Sequence, residues 1–295
     1  MGMKKVGVIG CGLMGRGICE VSARAGYDVV VSEVNQQLLE QGLAAINTSV
    51  TTAVRREKAT EADKTATLAR IRGTLNTEDF EDCDLVVEAA TENLELKKNV
   101  FAHLDKICLK HTILATNTSC LSVIDMAAVT QRQDKVLGMH FFNPVPVMRL
   151  LELVKTIATS DETLDAARAF GQSVGKTVVT APDIPGFIVN RLLMPFLLEA
   201  VRLLESGMAT KEDIDQAIVL GLNHPMGPLR LSDFVGLDTA YFICNAMYEE
   251  LKDPRFAPPI LLRKMVAAGQ FGRKSRKGFY DYGISPHSSG DASKN

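Results

Sequence analysis

The chain has 295 residues, of which 46% are hydrophobic and 23% are charged. These values are ordinary for a globular protein with one large domain or two smaller ones. With 33 basic and 35 acidic residues the formal charge is −2, so no strong overall field favours nucleic acid or a membrane as partner. We find no signal peptide, no apolar run of transmembrane length, and six cysteines without a C-x-x-C pair or metal-ligand spacing. These features predict a cytoplasmic protein without a metal site.

The N-terminal segment predicts a strand, a glycine-rich loop, a helix and a second strand. After the apolar strand at residues 4–9, Gly10, Gly12 and Gly15 follow the pattern G-x-G-x-x-G. The glycines permit a tight turn and close approach of a pyrophosphate, whose charge the helix N-terminus attracts. Glu33 ends the second strand, where a carboxylate accepts hydrogen bonds from ribose hydroxyls and repels a 2′-phosphate. The unit therefore predicts NAD rather than NADP, although Glu33 could instead be a solvated acid at a strand end.

The following segments predict an α/β domain. Residues from about 36 to 72 are polar and compatible with helices, and they predict a helical hairpin inserted into the domain. Apolar strand-like segments then alternate with a helical pattern, which is typical of a Rossmann-type fold with a mostly parallel sheet. Further strands are predicted at 82–90, 112–119, 135–142, 147–154 and 176–183, and a helix at 92–108.

The character of the sequence changes after the segment "DIPGF". Strand patterns nearly vanish, and residues 188–220 and 233–252 carry apolar positions at helical spacing. We predict an NAD-binding domain over residues 1–184 and an all-helical domain over residues 185–283. The polar segment 284–295 predicts a disordered tail.

The segment "MHFFNPVPVMRLLELV" contains one histidine and one glutamate in two apolar strands separated by prolines. Proline favours a turn and cannot donate to a β-ladder. If the chain reverses about Pro146, His140 lies directly opposite Glu152, with Cβ atoms about 5.5 Å apart. The carboxylate would then hold one imidazole nitrogen and leave the other to remove a hydroxyl proton during oxidation of an alcohol. The alternative is a structural pair, in which the two buried side chains only satisfy each other's hydrogen-bonding groups.

Three further polar residues support an alcohol or ketone site. Asn117 and Ser119 follow a buried strand, at the rim where open α/β sheets bind ligands. Asn190 falls in the first turns of an apolar helix, where a buried amide needs a partner. Such groups can polarise a carbonyl or hold a hydroxyl without competing for its proton. Each residue alone is also compatible with a structural role.

Several segments of the chain resemble the L-3-hydroxyacyl-CoA dehydrogenases, particularly the short bacterial 3-hydroxybutyryl-CoA dehydrogenases. The resemblance covers about residues 4–282. It implies an N-terminal NAD-binding domain, a helical C-terminal domain that forms a homodimer, and an active site in the cleft between them. The segments that carry it are "GCGLMGRGI", "DLVVEAATENLELK", "TNTSCLSV", "GMHFFNPVPVMRLLELV", "DIPGFIVNRLL", "HPMGPLRLSDFVGLDT" and "FGRKSRKGFY".

The resemblance also implies roles for individual residues. His140 is the expected general base, Glu152 orients it, and Ser119 and Asn190 polarise the substrate. Arg56 stands where the family has a lysine, so its charge is kept with a different geometry; a solvated basic helix face is the alternative. For NAD the resemblance implies Gly10, Gly12, Leu13, Met14, Gly15, Glu33, Glu92, Lys97, Ser119, Asn143 and Lys274, and for acyl-CoA it implies Ser49, Arg56 and Ser119.

The predicted function is reversible NAD-dependent oxidation of a short-chain (S)-3-hydroxyacyl-CoA in fatty-acid or butyrate metabolism. One alternative is a dehydrogenase of a free hydroxy acid or sugar acid, similar to lambda-crystallin. A second is a non-catalytic structural protein that binds NAD, although the His140, Glu152, Ser119 and Asn190 positions are all filled. A third is a redox sensor that uses Cys11 and Cys19, which lie on different turns and are poor disulfide partners.

Overall fold

The computed structural model describes residues 2–283, and the predicted tail over residues 284–295 lies outside them. The chain divides into two units after Phe187. The first unit is an α/β domain built on one sheet of eight strands in the order β3-β2-β1-β4-β5-β6-β7-β8. The strands are β1 Lys5–Ile9, β2 Asp28–Ser32, β3 Ile71–Thr74, β4 Leu85–Glu88, β5 Ile113–Thr116, β6 Val136–Phe141, β7 Leu150–Lys155 and β8 Thr177–Pro182.

The sheet is parallel except at one pair, because β7 runs antiparallel to β6. This arrangement confirms the predicted Rossmann-type fold. In the first unit the helices are α1 Leu13–Arg24, α2 Gln36–Arg55, α3 Glu61–Ala69, α4 Leu94–Ile107, α5 Val123–Ala127 and α6 Asp161–Ser173.

Several helices of the first unit begin at a polar residue whose side chain accepts a backbone N–H. Asn35, Asn93 and Ser160 cap α2, α4 and α6 in this way. Thr60 forms a capping box with Asp63 at the start of α3. Such caps satisfy donors that the helix itself leaves unpaired and stabilise each helix by about 1 kcal/mol.

The predicted helical hairpin over about 36–72 is wrong at its C-terminal end. Helix α3 ends at Ala69, and residues Ile71–Thr74 form the edge strand β3 beside β2. The segment has one β-branched residue, one arginine and one glycine before its threonine, so its own strand signal is weak. Pairing with β2 decides its conformation, because β propensity depends strongly on context.

Two layers of helices cover the sheet. Val8 and Val87 belong to the apolar layer that contains Ile18 of α1, whereas Val86 and Leu114 belong to the layer that contains Phe101 of α4. Side chains alternate along a strand, so both faces of β1, β4 and β5 are apolar and buried. Because β1, β4, β5 and β6 run parallel, their carboxyl ends meet at one edge of the sheet, where ligands bind in open α/β folds.

The second unit is described as helices and connecting segments up to residue 283. Its helices are α7 Val189–Glu205, α8 Lys211–Leu222, α9 Pro228–Val235, α10 Leu237–Leu251 and α11 Ile260–Ala267. Within residues 2–283 no helix has the length and apolar character needed to cross a bilayer, and no cluster of acidic, histidine and cysteine side chains has metal-binding geometry.

Candidate active site

The predicted register between the two strands of the "MHFFNPVPVMRLLELV" segment is confirmed. His140 of β6 lies directly opposite Glu152 of β7 in the antiparallel pair. The imidazole Nδ1 lies 2.7 Å from Glu152 Oε2, and the two residues are 5% and 0% exposed. A carboxylate only accepts hydrogen bonds, so Nδ1 carries the proton and Nε2 is the basic nitrogen. Nε2 makes no hydrogen bond to any described residue.

Two aromatic rings enclose the imidazole of His140. The ring centroid of Phe142 lies 4.5 Å away and that of Phe187 lies 5.5 Å away, edge-on. These rings exclude water from the His140–Glu152 pair, which strengthens its electrostatic interaction. The sequence offered no signal for Phe187, because it follows β8 and reaches the site only through the tertiary fold.

Asn117 and Ser119, which follow β5, have different surroundings. Asn117 is 8% exposed, and its side-chain oxygen accepts the backbone N–H of Phe141 at 2.9 Å. It therefore fixes the end of the strand that carries His140. The backbone N–H of Ser119 donates to Glu92 Oε1 at 2.7 Å, and the Thr118 hydroxyl donates to the same oxygen. The half-buried Ser119 hydroxyl makes no hydrogen bond within residues 2–283.

Lys97 and Glu92 belong to a buried ionic network whose other member, Glu88, sequence reasoning missed. Lys97 Nζ lies 2.7 and 2.8 Å from the two Glu88 oxygens and 3.5 Å from Glu92 Oε2. Lys97 is 1% and Glu88 is 0% exposed. Glu88 also accepts hydrogen bonds from Ala90 N–H and the Thr116 hydroxyl. Lys97 therefore positions the Glu92 carboxylate. Glu92 in turn holds the backbone of Ser119 through its hydrogen bond from the Ser119 N–H.

The glycine loop after β1 has the geometry that a pyrophosphate needs. Gly10 has a φ of +91°, and a Cβ at Gly15 would lie 1.8 Å from the Gly10 carbonyl oxygen, so both positions require glycine. A Cβ at Gly12 would project into open space. Gly12 is the N-cap of α1 and provides no side chain to its free N–H groups. Leu13 is 55% exposed at the start of the helix, and Met14 packs partly against the core.

Glu33 lies beside this loop, at the end of β2. Its Oε1 accepts the backbone N–H of Cys11 at 2.6 Å, and its Oε2 accepts that of Val34 at 3.2 Å. At the same sheet edge, Glu92 Oε2 is buried and makes no hydrogen bond with any of residues 2–283, although the Lys97 ammonium lies 3.5 Å away. An open loop, a carboxylate at the end of β2 and a buried carboxylate oxygen that can still accept a hydrogen bond fit a dinucleotide with ribose hydroxyls.

Ser49, Arg56 and Asn143 line one groove of about 690 Å³. The groove lies between α1, α2 and the connection from β6 to β7. Its floor includes Glu20, which is 2% exposed. Burial raises the pKa of the Glu20 carboxyl, while a hydrogen bond from Ser49 and the nearby Arg24 oppose the rise. The basic side chains of the groove are Arg16, Arg24, Arg56 and Lys58.

Asn190 and Lys274 belong to the second unit. Asn190 is the second residue of α7 and is 8% exposed. Lys274 lies in a short 3-10 helix, Arg273–Ser275, and its ammonium pairs with the carboxylate of Asp238. Their assignment to substrate and NAD stays a prediction.

All six cysteines are buried free thiols. Burial raises the pKa of Cys11 to about 11, and burial also raises the pKa of Cys19. The thiolate is the reactive form of cysteine, so these two residues are poor candidates for a redox sensor.

The chain matches known proteins over nearly all of its length. The family profile described as "3-hydroxyacyl-CoA dehydrogenase, NAD binding domain" matches residues 5–184, and the one described as "3-hydroxyacyl-CoA dehydrogenase, C-terminal domain" matches residues 186–282. A 3-hydroxybutyryl-CoA dehydrogenase of Mycobacterium tuberculosis is 47% identical over 282 residues, 95% of this chain and 99% of the relative.

A second relative and a solved structure agree with these matches. A 3-hydroxybutyryl-CoA dehydrogenase of Clostridioides difficile is 45% identical over 94% of this chain and 99% of its own length. The crystal structure of (S)-3-hydroxybutyryl-CoA dehydrogenase PaaH1 from Ralstonia eutropha has a TM-score of 0.92 and 44% identity, covering 95% of this chain and 99% of that chain.

Proposed function

Because the chain belongs to the 3-hydroxyacyl-CoA dehydrogenase family of NAD-dependent oxidoreductases, we propose that it interconverts (S)-3-hydroxyacyl-CoA and 3-oxoacyl-CoA. The observation that carries the proposal is the buried pair of His140 and Glu152, with Nδ1 held and Nε2 available. The relatives named for 3-hydroxybutyryl-CoA favour a short acyl chain. The six free thiols suit a reducing cytoplasm, and we place the reaction in fatty-acid or butyrate metabolism.

In the proposed mechanism His140 is the general base. Its Nε2 removes the proton from the 3-hydroxyl, and NAD, when bound at the glycine loop, would supply the acceptor for the hydride from C3. Glu152 holds Nδ1–H and stabilises the imidazolium that forms. Ser119 and Asn190 hold the substrate oxygen, and Phe142 and Phe187 exclude water around the imidazole. In the reverse direction the imidazolium returns its proton to the oxygen of the 3-oxo group.

The remaining proposed cofactor contacts lie at the sheet edge. Gly10, Gly12 and Gly15 let the pyrophosphate approach the backbone at the start of α1, and Glu33 holds the adenosine ribose. Glu92 belongs to the same set, because its Oε2 makes no hydrogen bond within residues 2–283 and can accept one. Lys97 acts on Glu92 through the buried network. The other proposed contacts are Leu13, Met14, Ser119, Asn143 and Lys274.

The basic groove supports a CoA thioester over a free hydroxy acid. Ser49 and Arg56 lie in it together with Arg16, Arg24 and Lys58. CoA carries several phosphate charges at the end remote from its thioester, whereas a free 3-hydroxy acid carries one carboxylate. A groove with four basic side chains therefore suits the larger anion.

We expect the enzyme to reduce acetoacetyl-CoA with NADH, and to act on free acetoacetate at least about 100-fold less efficiently, because the free acid makes no contact with the groove. Steady-state kinetics with both substrates, each with NADH and NADPH, will measure this. NADPH should be the poorer cofactor because Glu33 repels a 2′-phosphate. Equal turnover of the free acid would support the hydroxy-acid alternative, no turnover at all would support the structural one, and a preference for NADPH would remove the role of Glu33.

We also propose that the second unit forms a homodimer. Large exposed apolar side chains occur on several of its helices and in the segment between α7 and α8, and patches of such side chains often belong to interfaces. They are Leu192, Met208, Leu220, Leu222, Phe234 and Ile260. Light scattering on the purified chain should give about twice the monomer mass of 32.1 kDa; a monomer at micromolar concentration would contradict the proposal.

A further inference from the structure

A second, smaller cavity of about 350 Å³ adjoins the basic groove within the first unit. It lies between the end of α1, the connection from β6 to β7, and the segment that joins α6 to β8. Three of its side chains are basic: Arg24, Arg149 and Lys176. None of the acidic side chains within residues 2–283 lines it.

The ammonium of Lys176 is buried, and no carboxylate of the described residues pairs with it. The residue is 7% exposed, and its Nζ donates to the carbonyl oxygens of Val145 and Met148. Burial lowers the pKa of Lys176, and the charge of Arg24 lowers it further. Arg24 and Lys176 both line the cavity, and a bound anion would relieve the repulsion between these two cations.

Arg149 adds a third cation at the rim of this cavity. Its side chain is exposed and makes no hydrogen bond or ion pair with any residue of the described part of the chain. Arg24 also pairs with Glu20, whose carboxylate lies 3.7 Å from the Arg24 guanidinium but lines the larger groove instead. Positive charge therefore exceeds negative charge at the cavity.

The cavity continues the groove rather than forming a separate site. Arg24, Pro146 and Val147 line both spaces. The groove follows α1 from Leu13, at the sheet edge that carries the glycine loop, to Arg24, a distance of about 16 Å along the helix axis. An extended ligand with its reactive end near that edge would therefore bring its far end to Arg24.

We propose that Arg24, Arg149 and Lys176 bind the 3′-phosphate of the CoA thioester, a proposal that rests on the function proposed above. A phosphomonoester is a compact anion with three acceptor oxygens, which matches guanidinium donors and the remaining ammonium N–H. This cavity then selects full CoA over carriers that end in phosphopantetheine or lack the 3′-phosphate.

The test compares CoA with 3′-dephospho-CoA, which differ only in this phosphate. The affinity for each ligand is measured by calorimetry in the presence of saturating NAD, which keeps both ligands out of the dinucleotide site. The wild-type chain should bind CoA at least about tenfold more tightly, because even one charge-assisted contact to the 3′-phosphate contributes that much. Arg149→Ala should lose most of this preference because its affinity for CoA falls towards that for dephospho-CoA. Lys110→Ala, an exposed residue between α4 and β5, removes one positive charge elsewhere and should keep the preference.

The remaining outcomes distinguish the 3′-phosphate site from the proposed function. A wild-type chain that binds both ligands equally, or an Arg149→Ala variant that keeps the preference, would overturn the 3′-phosphate site while leaving the proposed function intact. Failure of the wild-type chain to bind either ligand would overturn the proposed CoA substrate and the site with it. Inorganic phosphate should weaken wild-type binding of CoA more than that of dephospho-CoA; if it competes equally with both, the cavity is a general phosphate site and the proposal is wrong.

Discussion

Replacing His140 with glutamine is expected to lower kcat for acetoacetyl-CoA reduction by roughly 10²–10⁴-fold, the usual contribution of a positioned general acid or base. Glutamine is similar in size, and its amide can still donate to Glu152, so the β6–β7 pair keeps its buried hydrogen bond. It cannot exchange a proton near neutral pH. The loss should therefore fall on the chemical step.

Two measurements isolate this effect in the His140→Gln variant. Calorimetry with NADH should give a dissociation constant close to that of the wild-type chain, because the glycine loop and Glu33 are separate from the imidazole. His111→Gln is the matched control, since His111 lies on the surface beside Asp84, and it should keep near wild-type kcat. Near wild-type turnover of His140→Gln would show that another group transfers the proton.

The second large effect is expected in the buried network at the ends of β4 and β5. Lys97→Met leaves the Glu88 carboxylate buried without its counterion, and breaking a buried ion pair in this way costs about 3–5 kcal/mol. The total free energy of unfolding of a domain is about 5–15 kcal/mol, so this loss is a large fraction of it. Urea denaturation followed by circular dichroism would measure the change.

A double variant separates the buried charge from packing. When Glu88→Gln is combined with Lys97→Met, the amide oxygen of the introduced glutamine can still accept the Ala90 N–H, and its amide nitrogen can donate to the Thr116 hydroxyl, which turns to accept. The buried charge is gone, so most of the lost stability should return. Lys98→Met is the control, because Lys98 pairs with Glu95 near the surface and should change stability by less than about 0.5 kcal/mol. If Lys97→Met were as stable as the control, the network would not be a stabilising ion pair.

Local patterns in the sequence were sufficient for the order and type of most elements. Buried parallel strands such as β4 and β5 are continuous apolar runs, and helices such as α4 have an asparagine cap before an amphipathic segment. The edge strand β3 could not be predicted in this way, since its conformation depends on pairing with β2. The glycine loop was predictable because its backbone geometry allows only glycine at particular positions.

The pairing of His140 with Glu152 could also be predicted from the sequence, because side chains in strands alternate and the prolines restrict where the chain can turn. Contacts between distant segments were not. The Glu88–Lys97 pair, Phe187 against the imidazole, and the meeting of Arg24, Arg149 and Lys176 at one cavity depend on how helices pack across the sheet. The hydrophobic periodicity of a segment indicates which of its faces is buried. It does not indicate which residues of another segment pack against that face, and only the tertiary structure decides this.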